Sequence, residues 1–214
     1  MSLALKDVIH IFYNIEQTIF LNKQYLTDLD AVIGDGDHGI NLNKGFKAVS
    51  EKLKTSPIKD LSDIFKLSGM AIVSNVGGAS GPLYGTALMK AAPLCINKAE
   101  VSLLDFRDIL NAAIGGIKLR GGAEKGDKTM LDALIPAFNE VNKAIENNIN
   151  STDALKNACF AAEAGVEYTK TIAARKGRAS YLGDRSIGHQ DPGATSSFLM
   201  LKTVYETVKD IKES

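Results

Sequence analysis

The stretch Asp30-Ala-Val-Ile-Gly-Asp-Gly-Asp-His-Gly-Ile-Asn41 places three aspartates within eight residues, at Asp30, Asp35 and Asp37. Carboxylates this close repel one another, and they cost stability if they are partly buried without a partner. A divalent cation removes that cost, and a donor set made only of carboxylate oxygens suits a hard ion such as Mg²⁺. Helical residues begin near Gly39, directly after this acidic loop, so the sequence predicts a place where a cation and a helix N-terminus hold phosphates.

The composition indicates one domain with no general affinity for polyanions. The chain has 214 residues, enough for one sizeable domain, and we expect a single domain over residues 1–214. Its 25 basic and 25 acidic residues give a formal net charge of zero, which argues against electrostatic binding of nucleic acid or an anionic membrane. Cys95 and Cys159 lie in apolar helical context and are expected to be buried, reduced thiols.

One stretch, residues 67–89, contains no charged residue and is long enough to span a bilayer. Its centre carries the pair Gly77-Gly78 and, shortly after it, Pro82, which would break a helix inside lipid. We therefore predict two buried helices around a polar glycine loop. The N-terminus has a charge pair before any apolar run and is not a signal peptide, so the expected compartment is the cytosol.

Apolar residues recur at helical spacing along most of the chain, which predicts an all-α fold of about eight helices. The expected helices cover residues 8–19, 42–53, 64 to near 77, 82–92, 103–121, 130–145, 152–175 and 194–211. Ser102 with Asp105 resembles a capping box for the fifth helix, and Thr129 with Asp132 repeats it for the sixth. Ser151 or Thr152 is the expected cap of the seventh.

Four glycine-rich loops lie between these predicted helices, at residues 34–39, 77–82, 121–129 and 188–193. In an up-and-down bundle, alternate loops fall at the same end. If neighbouring helices are antiparallel throughout, all four loops gather at one end together with the aspartates. The sequence therefore predicts a ligand site at one rim of the bundle.

Two familiar motifs fail on spacing. A calcium loop that starts at Asp35 would put Phe46 where the terminal glutamate belongs, so an EF-hand is rejected. Residues 121–129 come within one inserted residue of a phosphate-binding P-loop, but the loop follows a helix rather than a strand, so this motif is rejected as well. A purely structural acidic turn remains open, since Asp and Gly are common in turns.

Three further positions allow either a structural or a chemical role. Ser80 suits a helix cap, but its hydroxyl and the amides of Ala79 and Ser80 can also donate to phosphate oxygens. His38 can be a base, a phosphoryl carrier, a metal ligand or, as we favour, a hydrogen-bonding residue beside a nucleotide. Residues 175–185 form an ordinary exposed loop or a lid, and in a lid Arg178 would neutralise a transferring phosphoryl group.

Four motifs in this order resemble the nucleotide-binding L-subunit family of dihydroxyacetone kinases, and together they cover essentially the whole chain. They are Gly-Asp-Gly-Asp-His-Gly at residues 34–39, Gly-Gly-Ala-Ser-Gly-Pro-Leu-Tyr-Gly-Thr at 77–86, Gly-Asp-Lys-Thr-Met-Leu-Asp at 126–132 and Asp-Pro-Gly-Ala at 191–194. The resemblance implies a closed barrel of eight antiparallel helices with the nucleotide, ADP or ATP, bound at one rim.

The resemblance also implies roles for individual residues. Asp30, Asp35 and Asp37 would hold two Mg²⁺ ions that bridge the nucleotide phosphates. The phosphates are expected at His38, Gly39, Ile40, Asn41, Ala79 and Ser80, the adenine and ribose at Gly121, Thr129 and Met130, and the lid and closing loop at Arg178, Asp191 and Pro192. Arg178 is the expected catalytic residue.

The implied partners are those of the bacterial phosphotransferase-system type. In that type, tightly bound ADP accepts phosphate from a phosphohistidine on an M subunit, which phosphoenolpyruvate supplies through the phosphotransferase system. The phosphate then passes to dihydroxyacetone held by a K subunit. Two alternatives stay open: a kinase subunit that uses free ATP with a separate K-type partner, and a nucleotide-dependent regulator that binds a partner such as a transcription factor.

Overall fold

The computed structural model of the chain describes residues 2–213, which are mostly helical. The α-helices of this part are α1 Leu5–Leu21, α2 Lys23–Ile33, α3 His38–Thr55, α4 Leu61–Asn75, α5 Ser80–Ala91, α6 Leu103–Gly121, α7 Leu131–Glu146, α8 Ser151–Thr169 and α9 Pro192–Glu213. Two 3-10 helices cover Ala92–Cys95 and Arg178–Ser186. Two short strands, β1 Ser2–Ala4 and β2 Glu100–Ser102, pair antiparallel and form a small ribbon that the sequence analysis did not predict.

Helix α2 is the element that the sequence analysis missed, so the described residues contain nine α-helices rather than eight. Its buried residues, Leu26, Asp30 and Ile33, form one stripe at helical spacing. An aspartate in the middle of this stripe interrupts the apolar periodicity and hides the helix. Asp30 therefore lies near the end of a helix, and not in the acidic loop where the sequence analysis placed it.

The extra helix does not disturb the order of the bundle. Asn22 alone separates α1 from α2, and both helices pack mainly against α3 and α9. From α3 onward each helix packs against the next one in the chain, and α9 packs against both α8 and α1. Apolar side chains from several helices, including Ile19, Leu42, Ile64 and Ile72, are completely buried in the shared core.

Several local predictions can be compared with the observed helix ends. Ser102 and Asp105 form the predicted capping box at the start of α6, and Gly122 ends this helix in the left-handed conformation. The cap of α8 is Asn150, which accepts from the amides of Thr152 and Asp153, so the predicted cap at Ser151 or Thr152 was wrong by one or two positions. Helix α8 also ends at Thr169 and not at residue 175.

The apolar stretch over residues 67–89 is divided between α4 and α5, with a glycine-containing loop between them, as predicted. Within residues 2–213, no helix combines the length and the apolarity that crossing a bilayer requires. Cys95 and Cys159 are both buried and form no disulfide with each other, which confirms the expectation of free thiols.

Helices α7 and α8 are in close contact at Gly165 on α8. This residue is buried, and a Cβ atom added to it would collide with the backbone carbonyl oxygen of Asp132 on α7. Because a backbone atom cannot move aside as the end of a flexible side chain can, the contact requires glycine. Gly115, on the exposed side of α6, has no atom near the position of an added Cβ.

These two glycines predict opposite effects of the same substitution. Gly165→Ala should lower the free energy of unfolding by about 1–3 kcal/mol, because the added methyl group forces α7 and α8 apart. Gly115→Ala should raise it by about 0.5–1 kcal/mol, because alanine loses less backbone entropy in a helix. Urea unfolding followed by circular dichroism measures both. Equal shifts in the two variants would contradict the close approach at Gly165.

Candidate functional site

A cavity of about 430 Å³ opens at one end of the helical bundle. Its wall is formed by parts of the four glycine-rich loops and the helix ends beside them, within residues 30–38, 78–83, 117–130 and 176–193. The structure therefore brings together the four loops that the sequence analysis placed at one rim.

The acidic cluster lies in the wall of this cavity. Asp30, Asp35 and Asp37 each contribute a carboxylate oxygen, and these oxygens all lie within 4.8 Å of one another. Asp30 Oδ2 accepts hydrogen bonds from the backbone amides of Asp37, at 2.9 Å, and His38, at 3.2 Å. A Cβ at Gly34 would collide with the Asp30 carboxylate, so a larger residue there would displace this carboxylate.

The negative charge of the cluster is only partly compensated by the protein. Arg178 Nη2 lies 2.8 Å from Asp35 Oδ2. Among residues 2–213, Asp30 and Asp37 have no ion-pair partner. Neighbouring carboxylates without a cationic partner, all offering oxygen ligands, fit a divalent cation of the Mg²⁺ type.

His38 is the first residue of α3 and is buried behind the acidic cluster. Its Nε2 lies 2.9 Å from Ser196 Oγ, and the ring also hydrogen-bonds the backbone carbonyl of Pro192. Burial lowers the pKa of His38 below its ordinary value of 6.5, although the charges of Asp30 and Asp37 act in the opposite direction. This environment suits a neutral imidazole that forms hydrogen bonds.

A polar network continues from His38 into the bundle. The hydroxyl of Tyr84 on α5 lies 2.7 Å from Ser196 Oγ and 2.8 Å from Ser197 Oγ, and it donates to the carbonyl of Gly193 at 3.1 Å. Burial raises the pKa of Tyr84 to about 12, so its proton stays in place. Sequence reasoning did not single out these three side chains, although Tyr84 lies inside one of the quoted motifs.

Two helix N-termini border the acidic cluster, those of α3 at His38 and α5 at Ser80. Ala79 and Ser80 line the cavity, and the preceding Gly78 has a positive φ of 66° that turns the chain into the helix. The partial positive charge of a helix N-terminus and its free amides favour anions. The cavity therefore combines a carboxylate cluster suited to a divalent cation with two helix N-termini suited to phosphate.

Gly39, Ile40 and Asn41 follow His38 in the first turn of α3 and do not line the cavity. Gly39 packs against Lys23 and Thr27 of α2, and Ile40 is exposed. Asn41 is buried, and its side-chain nitrogen, which lies beside Gly77, has no hydrogen-bond partner among the described residues.

On the other side of the cavity, Gly121, Thr129 and Met130 lie in the wall with the apolar side chains of Leu83 and Ile117. This apolar surface is suited to a flat heterocyclic base. The loop before α7 is held by the buried carboxylate of Asp132, which accepts from the amides of Gly126, at 2.6 Å, and Thr129, at 2.8 Å.

Asp191 and Pro192 complete the wall at the start of α9. Asp191 Oδ2 accepts from the amide of Ala194 at 2.6 Å, and the Asp191 amide donates to Thr169 Oγ1 at 3.0 Å. Burial raises the pKa of Asp191 to about 7, against the lowering effect of the Ala194 bond. Most of the predicted positions thus face one cavity, and the exceptions are the three residues that follow His38.

Comparison with known proteins gives a consistent result. The DAK2 domain matches residues 32–206. The chain is 41% identical over 210 residues to the ADP-binding subunit DhaL of the PEP-dependent dihydroxyacetone kinase of Escherichia coli, which covers 98% of this chain and 100% of that protein. It is 40% identical over 187 residues to the ADP-binding subunit DhaL of the PTS-dependent dihydroxyacetone kinase of Lactococcus lactis, covering 87% of this chain and 89% of that one.

The fold is similar to that of the dihydroxyacetone kinase of C. freundii, which was solved in complex with AMP-PNP and Mg²⁺. The TM-score is 0.72 at 27% identity, over 96% of this chain and 34% of that chain, so the similarity covers about a third of the longer protein. From the domain match over most of its length and from these identities, we conclude that the chain belongs to the DAK2 domain family, as a homologue of the ADP-binding subunits of dihydroxyacetone kinases.

Proposed function

We propose that this protein is the nucleotide-binding subunit of a phosphoenolpyruvate-dependent dihydroxyacetone kinase, and that it acts together with a dihydroxyacetone-binding K subunit and a phosphohistidine-carrying M subunit. The observation that carries the proposal is the convergence of three carboxylates with two helix N-termini in one cavity. The 41% identity to an ADP-binding subunit over that subunit's full length supports it. ADP bound with Mg²⁺ would supply the phosphate acceptor and donor of the transfer, with the metal neutralising phosphate charge.

In this proposal the residues of the chain position the nucleotide and take no part in covalent chemistry. Asp30, Asp35 and Asp37 hold two Mg²⁺ ions. Ala79 and Ser80 bind phosphate oxygens, in accord with the anion preference of helix N-termini. The sequence also predicted Gly39, Ile40 and Asn41 as phosphate ligands, but they lie outside the cavity wall, and the amides of His38 and Asn41 already donate to Asp30 Oδ2 and to the Asp37 carbonyl.

The remaining positions enclose the nucleoside and the reacting group. Gly121, Thr129 and Met130 contact the adenine and ribose, and Asp191 and Pro192 close the site from the start of α9. Arg178, which lies at hydrogen-bonding distance from the acidic cluster, neutralises the charge that develops on the transferred phosphoryl group.

We infer that the helices close into a barrel around one domain, with the nucleotide at its rim. Support comes from the sequential packing of α3 to α9 and from the contact of α9 with α1. The acceptor hydroxyl of dihydroxyacetone would lie on the K subunit, so any base that removes its proton is expected there.

Metal-dependent ADP binding tests the acidic cluster. Asp35→Asn should weaken ADP binding in the presence of Mg²⁺ by about 100-fold or more, because it removes one metal ligand. Asp35 is exposed, so helicity should be retained. Calorimetric titration with and without EDTA measures the effect, and Asp28→Asn, an exposed aspartate on α2 outside the cavity, is the matched control. Wild-type protein that binds ADP equally well in EDTA would refute the metal site.

Phosphoryl transfer tests Arg178. In an assay with K and M subunits, Arg178→Met should lower the rate of dihydroxyacetone phosphate formation by about 10³-fold, with a smaller effect on ADP affinity, because the charge it neutralises develops during transfer. Arg175→Met, an exposed arginine outside the cavity wall, should keep the rate. Turnover with ATP and the K subunit alone would favour the ATP-dependent alternative, and bound ADP without any transfer would favour a regulator.

The burial of His38 predicts a pH dependence of stability. Because the pKa of His38 is lowered in the folded state, the unfolded chain binds the proton more readily. The stability associated with neutral His38 is present above pH 6.5 and is lost as pH falls below it. Between pH 7 and pH 5, wild-type protein in EDTA should lose more unfolding free energy than His38→Gln, by at most about 1.4 kcal/mol per pH unit. Parallel pH profiles in urea unfolding would show that His38 is not responsible.

A further inference from the structure

Lys128 is a buried lysine in the wall of the nucleotide cavity, and the proposed function gives it no role. Its exposed fraction is 1%. It lies in the loop between α6 and α7 and has a φ of 60°, a left-handed conformation that lysine adopts only rarely. A lysine in the wall of a cavity that is predicted to hold phosphates would ordinarily be taken for a phosphate ligand.

The hydrogen bonds of Lys128 exclude that role. Its Nζ donates to the backbone carbonyls of Thr169 at 2.7 Å, Ser186 at 2.6 Å and His189 at 2.6 Å, and it lies 3.3 Å from the carbonyl of Ile172. An ammonium group has three N–H donors, so the three short bonds use all of them. Burial lowers the pKa of Lys128 and the carboxylate of Asp191 opposes this, while three short bonds to acceptors require the charged form.

The carbonyls that Lys128 binds lie at or directly beside the two ends of residues 170–189, which we name the closing segment. Thr169 is the last residue of α8, directly before the segment, whereas Ser186 and His189 lie at its far end. The two ends also meet where the Gly188 amide donates to the Lys170 carbonyl at 2.7 Å. Arg178 lies in the middle of the closing segment, and Asp191 follows it.

The contacts of Thr169 extend this arrangement to the start of α9. While its carbonyl accepts from Lys128, its hydroxyl oxygen accepts from the amide of Asp191 at 3.0 Å. Next to Lys128, the carbonyl of Asp127 accepts from the Arg175 amide at 3.1 Å. The position of one ammonium group therefore affects both elements that reach over the cavity, the closing segment and the first turn of α9.

We propose that Lys128 is a positioning residue that fastens both ends of the closing segment through backbone carbonyls, and so sets Arg178 and Asp191 around the bound nucleotide. The identity of the ligand rests on the proposed function, whereas the hydrogen bonds by which Lys128 holds the two ends of the closing segment do not depend on it. A group of carbonyl oxygens around a small cation is a binding site for a primary ammonium ion, and this property makes the role testable by rescue.

The first experiment compares Lys128→Met and Lys128→Gln with wild-type protein and with Lys125→Met, an exposed lysine of the same loop. Trypsin should cut Lys128→Met about 10–100-fold faster after Arg175, Lys176, Arg178 and Arg185, because the carbonyls at both ends of the segment lose their donor. Release of a fluorescent ADP analogue should accelerate by a similar factor. Glutamine keeps two donors and should be intermediate, and it replaces the methionine variant if that variant does not fold.

The second experiment asks whether the ammonium group itself is responsible. Lys128→Ala leaves room for a small cation, so millimolar propylammonium should slow both nucleotide release and chymotrypsin cleavage after the exposed Tyr181 towards wild-type values. Chymotrypsin replaces trypsin here because alkylammonium ions compete for the lysine-binding pocket of trypsin. Tetramethylammonium carries the same charge but has no N–H donor and should have no effect. A loss caused only by general destabilisation would respond to neither ion.

The possible outcomes separate the two claims. Unchanged cleavage of the closing segment in Lys128→Met, or equal effects of Lys125→Met, would overturn the inference. Absence of rescue by propylammonium in folded Lys128→Ala would overturn it as well. If wild-type protein binds no adenine nucleotide, the proposed function fails, and the cleavage and rescue measurements still decide whether Lys128 fastens the closing segment.

Discussion

The site depends on the hydrogen bonds that the backbone amides of Asp37 and His38 donate to the carboxylate of Asp30. Asp30 lies near the end of α2 and accepts hydrogen bonds from the amides of Asp37 and His38. The loop between α2 and α3 therefore folds around a negative charge. The same wrapping starts α3 at His38 and directs its N-terminus to the cavity. A single buried acidic group thus determines both the fold of the loop and the donor set for a cation.

On the side of the cavity formed by the closing segment, the arrangement is reversed: backbone carbonyls surround the buried ammonium group of Lys128. One side of the cavity is therefore organised by an anion that accepts amides, and the other by a cation that donates to carbonyls. In both cases, a charged side chain satisfies backbone groups that irregular loops leave without helical partners. This explains how loops rich in glycine keep a defined geometry.

The sequence alone was sufficient for the all-α class, for the meeting of the four glycine-rich loops and for the acidic cluster, because these features lie in short contiguous motifs. It was not sufficient for α2, because Asp30 replaces an apolar residue in the buried stripe of that helix. The contact between Tyr84 and Ser196 could not be predicted for another reason. The two residues are separated by 112 positions, and in a sequence their hydroxyl groups look like those of surface residues on helices. The role of Lys128 was equally hidden, since its partners are backbone atoms.

The ion pair between Arg178 and Asp35 has a consequence for the behaviour of the closing segment in solution. The side chain of Arg178 is 64% exposed and that of Asp35 is 36% exposed, so dissolved ions can screen the attraction between them. The contacts of Lys128 at the two ends of the segment are shielded from water and are much less sensitive to screening. Rising ionic strength should therefore loosen the tip of the segment while its ends stay in place, which makes the mouth of the cavity wider without exposing its floor.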